Sequence, residues 1–162
     1  MSERTETILV IVACVLIFLA TILALPSEGA DKISALFAKY NPQQAKEIAE
    51  IVRNTAEAQS INPNIIAAMI VHESGVRPKV ISKGGDYGLM QIRWRVHRRT
   101  YGEIRTSAAP LFDPMTNIKI GTDIFARYYA KKKTLKGALL RYSGGNNAYA
   151  RKVLKTFGAL EL

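Results

Sequence analysis

The sequence predicts a mainly α domain with one small β or irregular element, preceded by a single apolar segment. Asparagine or aspartate followed by proline recurs ahead of stretches with helical apolar spacing, a pattern typical of amphipathic helix starts. Three glycines between Ser82 and Gln91 interrupt that helical pattern. An uncharged run occupies residues 8–25, and the remainder of the 162 residues has room for one compact domain.

The uncharged run 8–25, ILVIVACVLIFLATILAL, contains no proline or glycine and has nearly the length needed to cross a bilayer as a helix. It is predicted to be a transmembrane signal anchor that follows an N-terminal tail, residues 1–7. A cleavable signal peptide is the main competing interpretation, although the tail carries Glu3 and Glu6 where basic residues are usual. A lipoprotein acylation site at Cys14 or a buried core helix would also account for the run.

Residues 26–41, which include PSEGADK, are predicted to be a linker, and residues 42–162 the domain itself. Asn41 and Pro42 provide a helix cap and a first helical residue. The following segment QQAKEIAEIVRNTAEAQ places its apolar side chains on one stripe, which predicts an amphipathic helix.

A second helix is predicted to begin with Asn62 as cap and Pro63 as first residue. The apolar stretch NIIAAMIVHE continues it, and Gly75 offers a left-handed exit. Glu73 therefore lies in the last turn of a predicted buried helix.

Three further helices are predicted beyond the glycine-rich stretch. The first starts at Asp113 and Pro114, and Thr134 can cap the second. The turn SGGNN separates this second helix from a last one over residues 148–157. The β element is expected near residues 86–93.

The domain is strongly basic. The first 30 residues hold one of the 23 basic residues and three of the 13 acidic residues. Residues 31–162 therefore hold 22 basic and 10 acidic residues, which gives a formal charge of +12. Such a field attracts polyanions such as nucleic acid, an anionic membrane face or an acidic wall polymer. Cys14 is the only cysteine, and the two histidines lack metal-ligand spacing, so neither a disulfide nor a metal or other cofactor is expected.

Glu73 is the candidate for chemistry. It follows a run of apolar residues that disfavours the charged form of its carboxyl, which should raise the pKa above the ordinary value of about 4.3. A carboxyl that keeps its proton near neutral pH can act as a general acid. The competing interpretation is an ordinary glutamate at a helix end that reaches solvent or pairs with Arg77.

The segment ESGVRPKVISKGGDYGLMQI resembles the catalytic segment of the soluble lytic transglycosylase family. The family pattern is Glu-Ser, a serine nine residues after the glutamate, and then Gly-Leu-Met-Gln. This sequence matches it with Glu73-Ser74, Ser82 and Gly88-Leu89-Met90-Gln91. FDPMTNIKIGTDIF is similar to the family's Asp-Pro helix, with Asn117, and LLRYSGGN to its Ala-Tyr-Asn-Ala-Gly motif, with Tyr142. The resemblance covers about residues 61–157.

This resemblance implies a lysozyme-like α fold and cleavage of the β-1,4 bond between N-acetylmuramic acid (MurNAc) and N-acetylglucosamine (GlcNAc) in peptidoglycan. Glu73 would act as acid and then as base, while the C6 hydroxyl of MurNAc closes a 1,6-anhydro ring. Glycan strands are the expected partner. The expected substrate-binding residues are Ser74, Ser82, Asp86, Gly88, Met90, Gln91, Asn117 and Tyr142. Tyr142 is also expected to bond to the glutamate and orient it.

Two departures from the family pattern leave questions open. Ser143 stands where the motif has an asparagine, which leaves that position's role unassigned. Asp86 stands where many family members have a small residue, and it is either a turn residue or the second carboxylate of a hydrolytic muramidase.

The basic stretches 93–99 and 131–136 are either solvated faces or contacts to stem-peptide carboxylates and anionic wall polymers. A non-enzymatic, membrane-anchored basic module is a hypothesis from another class, but it gives no reason for Glu73, Gln91 and Tyr142. Nucleic acid, which such a module could bind, is therefore not expected as a partner.

An enzyme acting on peptidoglycan must face the wall. The predicted location is the bacterial inner membrane, with a single pass through residues 8–25 and the domain on the periplasmic side. The settings compatible with this are phage lysis as an endolysin, virion entry, and a bacterial secretion or conjugation apparatus. The small size and high basicity of the chain favour phage lysis.

Overall fold

The computed structural model describes residues 28–162, with side chains from Lys32 onward. The predicted tail 1–7 and anchor 8–25 lie outside this range. The helices are α1 (Glu28–Ala38), α2 (Ala45–Ala58), α3 (Pro63–Ser74), α4 (Trp94–His97), α5 (Pro114–Lys132), α6 (Leu135–Tyr142) and α7 (Asn147–Glu161). Two strands, β1 (Asp86–Tyr87) and β2 (Ile92–Arg93), and two 3₁₀ turns, Gly102–Ile104 and Ala109–Phe112, complete the described chain. The mainly α prediction is confirmed.

The first helix, α1, corrects the prediction of a linker over residues 26–41. Ile33 and Phe37, four positions apart on one face, are completely buried. They pack with α2 and α3 as part of the main hydrophobic core. A linker would leave such side chains in water, so α1 belongs to the domain. Within the part that the structure describes, no helix combines the length and apolarity that a membrane crossing requires.

The start of α2 lies later than the sequence predicts. The Asn41 Oδ1 accepts a hydrogen bond from the Gln44 backbone N–H, and residues 42–44 form a turn before the helix begins at Ala45. Asn41 therefore caps this turn, and its amide also donates to the Val76 carbonyl at 3.0 Å. That second bond ties the turn to the segment after α3.

The other predicted helix starts are confirmed. Asn62, Asp113 and Thr134 each accept a backbone N–H with the side chain at the N-cap of α3, α5 and α6. The last helix, α7, is longer than predicted and is capped by Asn146. The short helix α4 and the two 3₁₀ turns were not predicted, because segments of three or four residues carry no periodicity.

Helix α3 lies at the centre of the domain. Its residues from Ile65 to Val71 are all buried, so it is apolar all round, as a helix enclosed by others must be. It packs against α7, α2 and α1, while α5 packs against α6 and α2. The strands β1 and β2 form an antiparallel ribbon beside α5, and this confirms the predicted β element. The C-terminal end of α3 thus points toward the ribbon.

Candidate active site

A cleft of about 580 Å³ lies where the C-terminal end of α3 meets the ribbon and the starts and ends of three other helices. Glu73 reaches it from α3, Asp86 and Arg93 from the ribbon, Tyr142 from α6 and Tyr149 from α7. Helices and both strands of the ribbon therefore contribute to one concave surface, and the carboxyl groups of Glu73 and Asp86 lie in it. Such a cleft is the usual location of an active site.

The chain turns sharply immediately after Glu73. Gly75 has φ of 58°, as predicted for a left-handed helix exit, and Val76 follows with φ of 57°. A β-branched residue rarely adopts this conformation, which costs of order 1–3 kcal/mol. Val76 keeps it because its side chain is fully buried and its carbonyl accepts the Asn41 amide. The turn ends α3 at the cleft.

The proton affinity of Glu73 is high. Burial raises its pKa from 4.5 to about 7, hydrogen bonding with Tyr149 opposes the rise, and the charge of Asp86 adds to it. Desolvation disfavours the carboxylate form, as the apolar run before Glu73 predicts. Near neutral pH, both the acid and its conjugate base are therefore populated, which suits a group that first gives and then takes a proton.

Tyr149 is a close neighbour of Glu73 that was not predicted from the sequence. Its hydroxyl is buried with no hydrogen-bond partner of ordinary geometry among the described residues. It nevertheless lies close enough to act on the carboxyl, and burial together with the charge of Glu73 holds the pKa of Tyr149 well above its usual range. The sequence feature that could have indicated this contact is the position of the tyrosine in the first turn of α7, four residues before the buried Val153.

Replacing Tyr149 with phenylalanine is expected to raise the pKa of Glu73 by about 0.5–1 unit, because the hydroxyl stabilises the carboxylate. The ¹³C chemical shift of the Glu73 side-chain carboxyl, followed against pH, measures this change. Tyr129→Phe, an exposed tyrosine on α5, is the matched control. An unchanged or lowered pKa in Tyr149→Phe would contradict the assigned contact.

Asn117 of α5 holds the loop that connects the two strands. Its side chain is 1% exposed, its Oδ1 accepts from the Met90 N–H at 2.8 Å, and its Nδ2 donates to the carbonyls of Tyr87 at 2.9 Å and Leu111 at 2.7 Å. Gly88, at φ of 75°, lies so close that a Cβ there would collide with the Asn117 amide. One buried amide therefore fixes the loop between β1 and β2 to α5.

Gln91 and Tyr142 connect the same loop to the cleft. Gln91 has a left-handed φ of 48°, and its Nε2 donates to the Gly88 carbonyl at 2.9 Å and to the Val80 carbonyl at 3.3 Å. The Tyr142 hydroxyl donates to the Met90 carbonyl at 2.9 Å. The expectation that Tyr142 bonds to Glu73 is therefore corrected, since its hydroxyl is engaged by the loop. Both side chains still line the cleft.

Asp86 is the second carboxylate of the cleft, and donors occupy both of its oxygens. The Arg93 Nε donates to Oδ1 at 2.7 Å and its Nη2 to Oδ2 at 3.1 Å, while the Ser82 hydroxyl donates to Oδ2 at 2.9 Å. Burial alone would raise the pKa of Asp86, but the hydrogen bonds from Arg93 and Ser82 and the charge of Arg93 lower it. Asp86 is therefore ionised and firmly held.

Four of the predicted substrate-binding residues lie behind the cleft surface. Ser74 is 2% exposed, and its hydroxyl donates to the Ile70 carbonyl within α3. Gly88, Met90 and Asn117 are buried in the contact between the loop and α5. Because protein encloses these four residues, we expect them to support the cleft wall instead of contacting a substrate through side chains.

Several cleft residues have no counterpart in the sequence prediction. They come from α4, α5, α6 and the turn before α7, namely His97, Tyr128, Arg141 and Asn146. The basic stretch 93–99 thus contributes to the cleft through Arg93 and His97. No set of three or more histidine, cysteine or acidic side chains that could bind a metal ion occurs within residues 28–162.

Comparison with known proteins identifies one matching family and several related proteins. The family described as the transglycosylase SLT domain matches residues 50–160. Endo-type membrane-bound lytic murein transglycosylase A of Citrobacter koseri is 34% identical over 85 residues, which cover 49% of this chain and 42% of that protein. Membrane-bound lytic murein transglycosylase E of Buchnera aphidicola is 29% identical over 120 residues, which cover 67% of this chain and 52% of that protein.

Solved structures show the same fold. The 70-kDa soluble lytic transglycosylase of Escherichia coli aligns with a TM-score of 0.53 and 27% identity, over 68% of this chain and 19% of that one. The complex of the 70-kDa soluble lytic transglycosylase with bulgecin A gives 0.55 and 25%, over 72% and 20%. This chain spans about half the length of the curated relatives that it matches.

Proposed function

Because the chain belongs to the transglycosylase SLT family, we propose that it is an enzyme that cleaves the MurNAc–GlcNAc β-1,4 bond of peptidoglycan and leaves a 1,6-anhydro-MurNAc end. The observation that carries the proposal is the Glu73 carboxyl, whose pKa is raised to about 7 and which lies in a cleft lined by several helices and the ribbon. A glycan strand is the substrate class that the family membership supports.

Glu73 supplies both proton transfers of the proposed reaction. In the protonated form it gives its proton to the glycosidic oxygen as the bond from that oxygen to C1 of MurNAc breaks. The resulting carboxylate then takes the proton of the MurNAc C6 hydroxyl, whose oxygen bonds to C1. The proton balance closes, and Glu73 returns to its starting form without a second catalytic carboxyl.

A hydrolytic muramidase is the second candidate, because Asp86 lines the same cleft as Glu73. A retaining hydrolase needs a second carboxylate free to attack C1 or stabilise positive charge there. Asp86 instead accepts two hydrogen bonds from Arg93 and one from Ser82. Engagement of both its oxygens favours the transglycosylase.

The product distinguishes the two candidates. We expect the full chain in detergent to release muropeptides from purified peptidoglycan that are lighter by one water than the reducing-end products, as mass spectrometry resolves. Asp86→Asn is expected to keep anhydro ends as the main product, because the carboxylate has no chemical step in this mechanism. Reducing ends in the wild type that vanish with Asp86→Asn would establish the hydrolase instead.

We also propose that residues 8–25 cross the inner membrane once and place the domain on the wall side. The uncharged length of that segment supports this, and the curated relatives carry the words membrane-bound in their names. Protease added to intact spheroplasts should degrade the domain. A domain that stays protected until the membrane is opened would contradict this topology.

A phage endolysin is the setting that we propose, on the basis of the small size and the +12 charge of residues 31–162. Expression in a bacterial host should then cause lysis, and Glu73→Gln should abolish it. Salt-sensitive DNA binding that survives Glu73→Gln, without any release of muropeptides, would instead support the non-enzymatic basic module.

A further inference from the structure

An arginine faces the second carboxylate of the cleft across the ribbon. Asp86 and Arg93 are directly paired in the antiparallel register of β1 and β2. The guanidinium binds both carboxylate oxygens in a forked arrangement, at 2.7 Å and 3.1 Å. Such bidentate pairs fix orientation as well as charge. Since Ser82 also donates to Oδ2 at 2.9 Å, neither oxygen of Asp86 is without a donor.

The pair lies in the same cleft as Glu73. The Asp86 side chain is 19% exposed and the Arg93 side chain 55%, so the carboxylate lies on the inner side and the guanidinium toward the opening. The charge of Asp86 acts on Glu73 and raises its pKa. Arg93 pairs with that carboxylate and so offsets part of its charge.

We propose that Arg93 is a positioning residue that holds both oxygens of Asp86 and keeps this carboxylate out of the reaction at Glu73. The inference rests on the proposed function. With Arg93 in place, the MurNAc C6 hydroxyl is the nucleophile and its proton goes to Glu73. Without Arg93, Oδ1 of Asp86 loses its donor. Glu73 then gives its proton to the glycosidic oxygen as the bond from that oxygen to C1 breaks, a water oxygen bonds to C1 while Asp86 takes the water proton, and solvent carries a proton from Asp86 back to Glu73. The product has a reducing end.

Other charged and titratable groups also face Glu73, and the test must separate them from Asp86. Tyr142 and Tyr149 approach from α6 and α7, and the remaining ones in the cleft are His97, Tyr128 and Arg141. Arg93 is the cation that forms an ion pair with Asp86 within the described part of the chain. Loss of Arg93 therefore has an effect through Asp86 that a double variant can isolate.

The decisive variant is Arg93→Met in the full chain. We expect the ratio of reducing-end to anhydro products to rise by about tenfold, and the alkaline limb of the pH–rate profile to move up by about 0.5–1 unit. The double variant Arg93→Met with Asp86→Asn should return the product ratio to the wild-type value and bring the alkaline limb down to the wild-type position or below it, because the Asp86 charge that raises the pKa of Glu73 is then absent. Arg95→Met, at an exposed arginine two residues along, should leave them unchanged.

Two results would overturn the inference. One is an Arg93→Met protein with the wild-type circular dichroism spectrum, the wild-type product ratio and the wild-type pH profile. The other is a double variant that behaves like Arg93→Met alone, since the effect would then not pass through Asp86.

A titration of the Glu73 carboxyl by ¹³C NMR keeps this inference separate from the proposed function. If the wild type releases no muropeptide, the proposed function fails, and the titration still tests the positioning role. A higher pKa for Glu73 in Arg93→Met that the double variant reverses supports the role of Arg93. Identical titration curves in all three proteins exclude it.

Discussion

Glu73→Gln is expected to lower the rate of muropeptide release by about 10²- to 10⁴-fold, the usual contribution of a general acid and base. Glutamine fits the same space but can neither donate nor accept the proton. In the wild type, the rate should fall as pH rises through about 7, because the carboxyl loses the proton that the first step needs. Mass spectrometry of the released fragments, measured against time and pH, checks both expectations.

The control for this variant is Glu57→Gln, at an exposed glutamate on α2 that does not line the cleft. It removes the same charge without touching the cleft and should keep the wild-type rate. A Glu73→Gln protein that retains more than about a tenth of the wild-type rate would place the acid elsewhere.

Glu73→Gln is also expected to be more stable than the wild type at pH 8. The folded-state pKa of Glu73, about 7, lies above the unfolded value of 4.5. The stability that this group contributes is therefore fully present below 4.5, and it is lost as pH rises toward and through about 7. The loss is of order 3 kcal/mol, so Glu73→Gln should raise Tm at pH 8 and have little effect near pH 4. A Tm difference that does not depend on pH would contradict this origin.

Asn117→Ala is expected to lower the free energy of unfolding by about 3–5 kcal/mol, the largest stability effect that we predict. The change removes three hydrogen bonds and leaves the Met90 N–H and the Tyr87 and Leu111 carbonyls buried without their partner. The loss arises mainly from these desolvated backbone groups. Urea denaturation followed by circular dichroism measures it through the transition midpoint.

Asn54→Ala is the matched control, because Asn54 lies on the exposed face of α2. It should change the free energy of unfolding by less than about 0.5 kcal/mol. A loss in Asn117→Ala no larger than that of the control would mean that ordered water replaces the amide. Activity should fall with stability in Asn117→Ala, since the cleft wall loses its attachment to α5.

The helices were predictable where a local signal marks the start. Asn62, Asp113 and Thr134 act on backbone N–H groups only two or three residues away, so the sequence near each position was sufficient. Helix α1 was not predictable in this way. Ile33, Leu36 and Phe37 have helical apolar spacing, but their burial depends on α2 and α3, which lie later in the chain.

Some features of the candidate site were predictable from neighbouring residues in the sequence, and others were not. The environment of Glu73 follows from the apolar residues beside it in sequence, so the direction of its pKa shift could be predicted. Which tyrosine approaches Glu73 depends on how α6 and α7 pack, and the sequence motif favoured Tyr142 where the structure has Tyr149. The pairing of Arg93 with Asp86 required the strand register, which seven residues of separation do not determine.

The two walls of the cleft are held in different ways. On the ribbon side, the Met90 N–H is bonded to the Asn117 side chain and the Gly88 N–H to the Val80 carbonyl. On the other side, the tip of the turn before α7 is exposed, and Gly144 and Gly145 have φ of 65° and 96° with open space around both. If the proposed glycan substrate needs more room than the cleft offers, we expect the exposed glycine turn to be displaced more readily than the ribbon, because a buried side chain ties the ribbon loop to α5.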